Sequence, residues 1–257
     1  PSLEFLNKVN TIIFSFLWRS RDKVKRNTMV ASIEEGGLKV PNLKLVVQVQ
    51  RIMWVKRFIC SPDHPWKCFF QWELQKLAGS HILKSALHIA MIQKSNVREF
   101  YKNVLVSWGA WVEQSWMKND IWNQCIWFNR YILKDNGDSI CYKRLSKKGI
   151  NYMSDLVENR TLLSRDWLIR HGFTEIEIWY INIVIHCLPK EWKELSFDTT
   201  IHKEVSLLDC TVKLNSQYVY RILAKHIIVP PTSQGYFENK FPRTRNFWSE
   251  IYSLPFQ

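Results

Sequence analysis

Five basic residues lie within eight positions near the start of the chain: Arg19, Arg21, Lys23, Lys25 and Arg26, with Asp22 as the single acidic residue among them. In an extended chain, alternate positions point to the same side, so the first four would follow one side at a spacing of roughly 7 Å. That spacing suits a phosphate backbone better than a single carboxylate partner. The alternative is a solvated loop, because short basic runs usually only keep a chain soluble.

The positive charge of the chain is concentrated in the same region. Lys and Arg total 36 against 23 Asp and Glu, which gives a formal net charge of +13 over 257 residues. Residues 1–60 contain 11 basic and 4 acidic residues, a net charge of +7. The first quarter of the chain therefore carries over half of the excess and favours a polyanionic partner.

Two amphipathic helices are predicted on either side of the basic run. Over residues 3–17 an apolar stripe recurs at helical spacing, with Ser2 as the N-cap: Leu3, Leu6, Val9/Asn10, Ile13 and Leu17, widened by Phe14 and Phe16. A turn is predicted at the paired glycines 36–37, and a second helix from Asn42. Its expected apolar face consists of Leu43, Val46, Val47, Gln50, Met53, Trp54 and Phe58. Trp18 could stack on a base, although its position at the apolar end of the first helix favours a role as an anchor for the loop.

The rest of the chain is predicted to be mainly α-helical with one β-hairpin. Apolar spacing indicates helices over residues 66–77 and 96–116. A further segment over residues 175–188 ends at Pro189, and another helix is expected around residues 216–226. The hairpin is expected between Ile126–Lys134 and Ser139–Arg144, across Asn136-Gly137, because this dipeptide tolerates the positive φ of a two-residue turn. Residues 229–244 read as a linker, and 245–257 as the start of a further C-terminal element.

Residues for catalysis are not grouped in this sequence. It contains none of the common glycine-rich phosphate-binding or hydrolase motifs, and its nine Asp are dispersed, whereas two-metal phosphoryl transfer needs clustered carboxylates. We predict no catalytic residues, metal or cofactor, and no polymerase or nuclease activity for the isolated chain. Cys60, His64 and Cys68 offer three metal ligands in a proline-interrupted loop, but a structural zinc site needs four, so metal binding stays open. His186 is predicted to be a core histidine.

The sequence predicts an intracellular protein, in the nucleus or the cytoplasm. Its longest apolar stretch is too short for the about 20 residues that span a bilayer, and its start does not resemble a signal peptide. The six cysteines are expected to be reduced and mostly buried. Because the chain begins with Pro1, we expect it to be a fragment.

Several motifs resemble a known family. Phe16-Leu17-Trp18, the basic run through Lys25-Arg26-Asn27-Thr28, and residues 34–43 look like the segment that follows the palm in reverse transcriptases of LINE-type (non-LTR) retrotransposons. Further motifs recur there in the same order: Ile121-Trp122-Asn123, Lys148-Gly149-Ile150, Asp155-Leu156, residues 188–192, Tyr220, residues 231–233 and residues 248–256. The resemblance covers nearly the whole chain.

The resemblance implies a function without catalysis. Residues 1–60 would correspond to a thumb-like basic segment, and 61–228 to the helical region between the thumb and a Cys/His knuckle. The palm aspartates, endonuclease residues and knuckle cysteines of the family are missing, so no polymerase activity can be assigned to any residue. The implied partners are RNA or an RNA–DNA template–primer and the rest of the reverse transcriptase polypeptide. Binding to a membrane is not expected. Trp18 and the five basic residues are the predicted contacts; the alternative is a helical scaffold or protein-interaction fragment.

Overall fold

The computed structural model describes residues 3–19, 26–30, 38–61, 63–115, 121–158, 161–193 and 215–224. These residues are mainly helical and contain one two-stranded antiparallel hairpin, so the predicted fold class is confirmed. The helices are α1 (Leu3–Trp18), α2 (Arg26–Val30), α3 (Leu43–Cys60), α4 (Pro65–Gln75), α5 (Ile89–Lys94), α6 (Glu99–Ser115), α7 (Lys143–Lys147), α8 (Arg165–Arg170), α9 (Glu175–His186), α10 (Lys190–Lys193) and α11 (Ser216–Ala224). Short 3-10 helices span Ser80–Lys84 and Met153–Leu156.

The described chain forms two compact units. The first contains the residues up to Val49 together with Ser216–Ala224, and the second runs from Gln50 to Asn215. The division falls within α3, and the first unit combines N-terminal helices with α11, which is far away in the sequence. Residues 229–257, the predicted linker and C-terminal element, lie outside the described residues.

The first unit is tied together around Asn42, the N-cap of α3. The Asn42 side-chain oxygen accepts hydrogen bonds from the backbone N–H groups of Lys44 (3.0 Å) and Leu45 (3.4 Å). These bonds satisfy N–H groups that a helix start otherwise leaves without partners. The backbone N–H of Asn42 donates to the Tyr220 hydroxyl at 3.0 Å, which joins α11 to the start of α3. The Met29 carbonyl of α2 accepts the N–H groups of residues 38 and 40.

Helix α3 occupies the predicted residues but buries a different face. The buried residues are Leu45, Val49, Ile52, Val55 and Lys56. Gln50 is exposed, while the other residues of the predicted face are only half-buried. The predicted face is wrong because α3 carries apolar residues almost all the way round, so periodicity alone could not select its buried side.

An aromatic cluster joins α3, α4 and α6 in the second unit. The Trp54 ring centroid lies 4.7 Å from that of Phe70 and 4.8 Å from that of Trp66. Phe70 also stacks on Tyr101, with centroids 5.5 Å apart and planes 17° apart. Tilted and edge contacts of this kind add to the stabilisation that burying large rings provides.

The predicted hairpin at residues 126–144 is reduced to a turn with an isolated bridge, Leu133 with Ser139, and a further backbone hydrogen bond from the Phe128 N–H to the Ile140 carbonyl (3.0 Å). The Gly137 N–H donates to the Lys134 carbonyl (2.8 Å), and the Lys134 N–H donates to the backbone carbonyl of Asp138 (2.9 Å). Only Gly137 in this turn has a positive φ, 78°. The loop therefore has three residues and ends in a left-handed glycine, instead of the predicted two-residue turn in which Asn136 would also be left-handed. The two-stranded hairpin lies further along, between Val157–Glu158 and Thr161–Leu162.

Two predictions about single residue types are wrong. His186 is exposed at the end of α9, not in the core. Five cysteines lie in the described residues and are free thiols, but only Cys125 of these five is buried, and Cys68 is exposed.

None of the helices in the described ranges combines the length and apolar character that crossing a membrane requires.

Candidate nucleic-acid interface

The structure describes three of the six predicted contact residues: Trp18, Arg19 and Arg26. Trp18 is the last residue of α1 and is half-buried, as expected for a residue that anchors a loop. Arg19 follows it with a positive φ of 56° and an exposed side chain. Arg21, Lys23 and Lys25 lie outside the described residues.

Arg26 packs back onto α1. Its guanidinium carbon lies 5.0 Å from the centroid of the buried Phe14 ring, and its Nη1 donates to the Thr11 hydroxyl at 3.4 Å. Phe14 and Trp18 are four residues apart in a helix and therefore share one face. Arg26 is thus held on the face of α1 that also carries Trp18, and its half-buried side chain is partly committed to packing.

The first unit also exposes large apolar side chains on α1. Phe5, Ile12 and Phe16 follow one side of α1 and are 56%, 68% and 83% exposed. Of these three, only Phe16 belonged to the predicted apolar stripe, which also included Leu17, 45% exposed. The buried position is Phe14, which had been placed at the edge of that stripe. The length and type of the helix were therefore predictable, whereas its buried side depends on partners that are distant in sequence.

Metal binding finds no support in the described residues. Cys60 is half-buried and Cys68 is exposed, and no group of three or more His, Cys, Asp or Glu within the described ranges could hold a metal ion. The loop that contains Cys60, His64 and Cys68 therefore offers no assembled ligand set there. His64 immediately precedes α4, where Pro65 occupies the first helical position.

Comparisons with protein-family profiles, with curated proteins and with solved structures found no match.

Proposed function

We propose that this chain is the segment after the palm of a LINE-type reverse transcriptase and that it binds RNA or an RNA–DNA template–primer through the phosphate backbone. The observation that carries this proposal is the arrangement at the end of α1. Arg19 is exposed directly after the half-buried Trp18, and Arg26 is fixed over Phe14 on the same helix face. The ends of the basic run are thus both attached to α1.

The electrostatics of the first sixty residues support the same function. Their net charge of +7 favours attraction of a polyanion. The nine Asp of the chain are dispersed, which does not favour catalysis by two metal ions. Arg and Lys contacts to phosphates fix position without reading bases. The proposed role is therefore to hold a nucleic acid with little sequence preference, while the chemistry belongs to another part of the polypeptide.

The proposal predicts a salt-dependent affinity that the basic run controls. Replacing Arg19 and Lys23 together by alanine should weaken binding of an RNA–DNA duplex, because two phosphate contacts are lost. The slope of log affinity against log salt should fall by about 2, since each contact contributes about 0.9 for duplex DNA. Fluorescence anisotropy with two duplexes of unrelated sequence measures both quantities, and the two sequences should lose affinity alike.

The matched control replaces Lys94 and Lys190 by alanine, which removes the same charge from exposed positions outside the basic run. This variant should bind with nearly the parent slope. Equal losses in the two variants would mean that only net charge matters. A double variant of the basic run that binds like the parent at every salt concentration would contradict the proposal.

The exposed apolar side of α1 favours a second candidate function, that of a helical scaffold or protein-interaction fragment. Three large apolar side chains, Phe5, Ile12 and Phe16, are more than half exposed on one helix. Such a cluster is typical of an interaction surface. Under this alternative, replacing Phe16 by serine should reduce self-association or partner binding and leave nucleic-acid affinity unchanged.

A further inference from the structure

An open cavity of about 350 Å³ lies in the second unit, between α4, α7 and the 3-10 helix Ser80–Lys84. Its floor includes the buried residues Leu77 and Ala78. Among the described residues that line it, two are lysines and none is acidic. The polar residues of its walls are Gln71, Gln75, Ser80, His81, Lys143, Ser146 and Lys147.

Hydrogen bonds fix the walls of the cavity relative to each other. The Ser146 hydroxyl lies 3.2 Å from the Ala78 carbonyl and 2.6 Å from the side-chain oxygen of Asn151, so it ties α7 to the floor. The Nδ1 atom of His81 lies 2.8 Å from the Tyr152 hydroxyl. These bonds hold the backbone segments that carry the lining residues in place relative to each other.

Gly79 shapes the turn between the floor and the 3-10 helix. Its φ is 85° and its ψ is −168°, a conformation that only glycine adopts readily. The backbone therefore turns sharply at the cavity wall and brings Ser80 and His81 beside the residues from α4 and α7. Helix α7 follows more than sixty positions after Ser80 and His81 in the sequence.

The charged groups of the cavity are available to a ligand. Lys143 and Lys147 are one turn apart on α7, so they lie on the same face. Both are exposed, and neither side chain has an ion pair or hydrogen bond within the described part of the chain. Burial, with a smaller effect of Lys84, lowers the pKa of His81 more than Asp155 raises it, which favours the neutral ring.

We propose that this cavity binds a nucleotide, with Lys143 and Lys147 on the phosphate and the amides of Gln71 and Gln75 on hydroxyls or a base edge. Two lysines in a lining whose described residues include no carboxylate favour an anion. The volume is larger than one phosphate needs and falls at the lower end of the roughly 300–1,000 Å³ of small-molecule sites. Amide side chains can donate and accept hydrogen bonds, which suits the uncharged part of a nucleotide.

The ligand could be a free nucleotide or the 5′-phosphorylated end of a strand, and both share the same chemistry. The site lies in the second unit and uses no residue of the basic run, so it does not depend on the function proposed above. A variant of the basic run should retain this binding, and a variant of the cavity should retain the salt slope of duplex binding.

Calorimetric titration of the full chain with AMP, adenosine, inorganic phosphate and a 5′-phosphorylated tetranucleotide tests the proposal. AMP should bind about tenfold or more tightly than adenosine, because only AMP carries the phosphate. Lys143→Gln combined with Lys147→Gln should lower the affinity for AMP about tenfold or more, while Lys94→Gln with Lys190→Gln, an equal loss of charge, should leave it unchanged. Chemical shifts of the Ser80 amide and the His81 ring should move on binding and report that the variants are folded.

The outcomes separate the two sources of the ligand. Tighter binding of AMP supports a free nucleotide, and tighter binding of the phosphorylated tetranucleotide supports a strand end. If inorganic phosphate binds as tightly as AMP, the proposed contacts of Gln71 and Gln75 with the hydroxyls or base of the nucleotide are wrong. The proposal as a whole is overturned by an absence of saturable binding, or by AMP binding that survives the Lys143/Lys147 double variant.

Discussion

Replacement of Trp127 by alanine should lower the free energy of unfolding by roughly 3–5 kcal/mol, because it removes a fully buried indole and leaves a cavity. The indole N–H also lies 3.1 Å from both the Ile150 carbonyl and the Asn151 side-chain oxygen. Losing this donor leaves buried acceptors with fewer partners. Urea denaturation followed by circular dichroism measures the loss.

Two further variants identify the cause of that loss. Trp127→Phe keeps an aromatic ring but removes the indole donor, so it should cost about 1–3 kcal/mol, and it provides a folded variant if the alanine variant does not fold. Trp179→Ala removes an indole that is 59% exposed on α9 and should cost about 0.5 kcal/mol. Similar losses at Trp127 and Trp179 would contradict the burial that the structure gives to Trp127.

Trp127 also shows why part of the fold was not predictable from the sequence. It belongs to a run of β-prone residues, and local propensity therefore indicated a strand paired with residues 139–144. In the structure, the Phe128 N–H does donate to the Ile140 carbonyl, but the backbone N–H groups around it donate to carbonyls of other segments: Cys125 to Lys84, Ile126 to Asn151, and Arg130 to Ala86. Partners far away in sequence decided this conformation, and local propensity contains no information about them.

Helices were predicted where local signals are strong. Regular apolar spacing located α1, α3, α4 and α6, and the predicted start of α3 at Asn42 agrees with the structure, in which the Asn42 side chain caps the helix. The choice of buried face was less predictable, as α3 shows, since it depends on which elements pack against the helix. Whether a segment forms a helix depends on local sequence, whereas which face of the helix is buried depends on the elements that pack against it.

The candidate sites differ in the same way. Trp18, Arg19 and Arg26 are close in sequence, and their grouping was visible as a basic run next to an aromatic residue. The cavity of the second unit combines α4 with α7, so its lining could not be assembled from spacing. One local signal exists, because residues 143–148 include four basic residues. That run alone indicates a charged surface. It does not predict that Gln71 and Gln75 of α4 line the same cavity.

Glu73 forms the most buried ionic network in the described residues, with its side chain only 1% exposed. Both carboxylate oxygens lie 2.9 Å from the Lys76 ammonium. The same carboxylate accepts the Arg98 backbone N–H at 3.0 Å, and one of its oxygens lies 3.2 Å from the Arg98 side chain. Because the Arg98 carbonyl accepts the first hydrogen bonds of α6, Glu73 connects α4 to the start of that helix.

Glu73→Gln should therefore lower the free energy of unfolding by roughly 2–3 kcal/mol near neutral pH. Glutamine has nearly the same shape, but its amide group must place two donors against the donors of Lys76 and Arg98. The control is Glu175→Gln, which disrupts a pair with Arg165 in which both side chains are about 70% exposed. That variant should change stability by about 0.5 kcal/mol, since exposed ion pairs are screened by water and salt.

The difference between the parent and Glu73→Gln should depend on pH in one direction. Burial alone would raise the pKa of Glu73, but the hydrogen bonds from Lys76 and the Arg98 backbone, with the two positive charges, hold that pKa below its ordinary value. A carboxyl whose pKa is lower in the folded state stabilises the protein above the ordinary glutamate pKa of about 4.3, and this stabilisation is lost as the pH falls through the lower, folded value. Denaturation curves between neutral and acidic pH should therefore show the parent losing its advantage over Glu73→Gln as the pH falls. An advantage that stays constant or grows under acidic conditions would mean that Glu73 is not held ionised by Lys76 and Arg98.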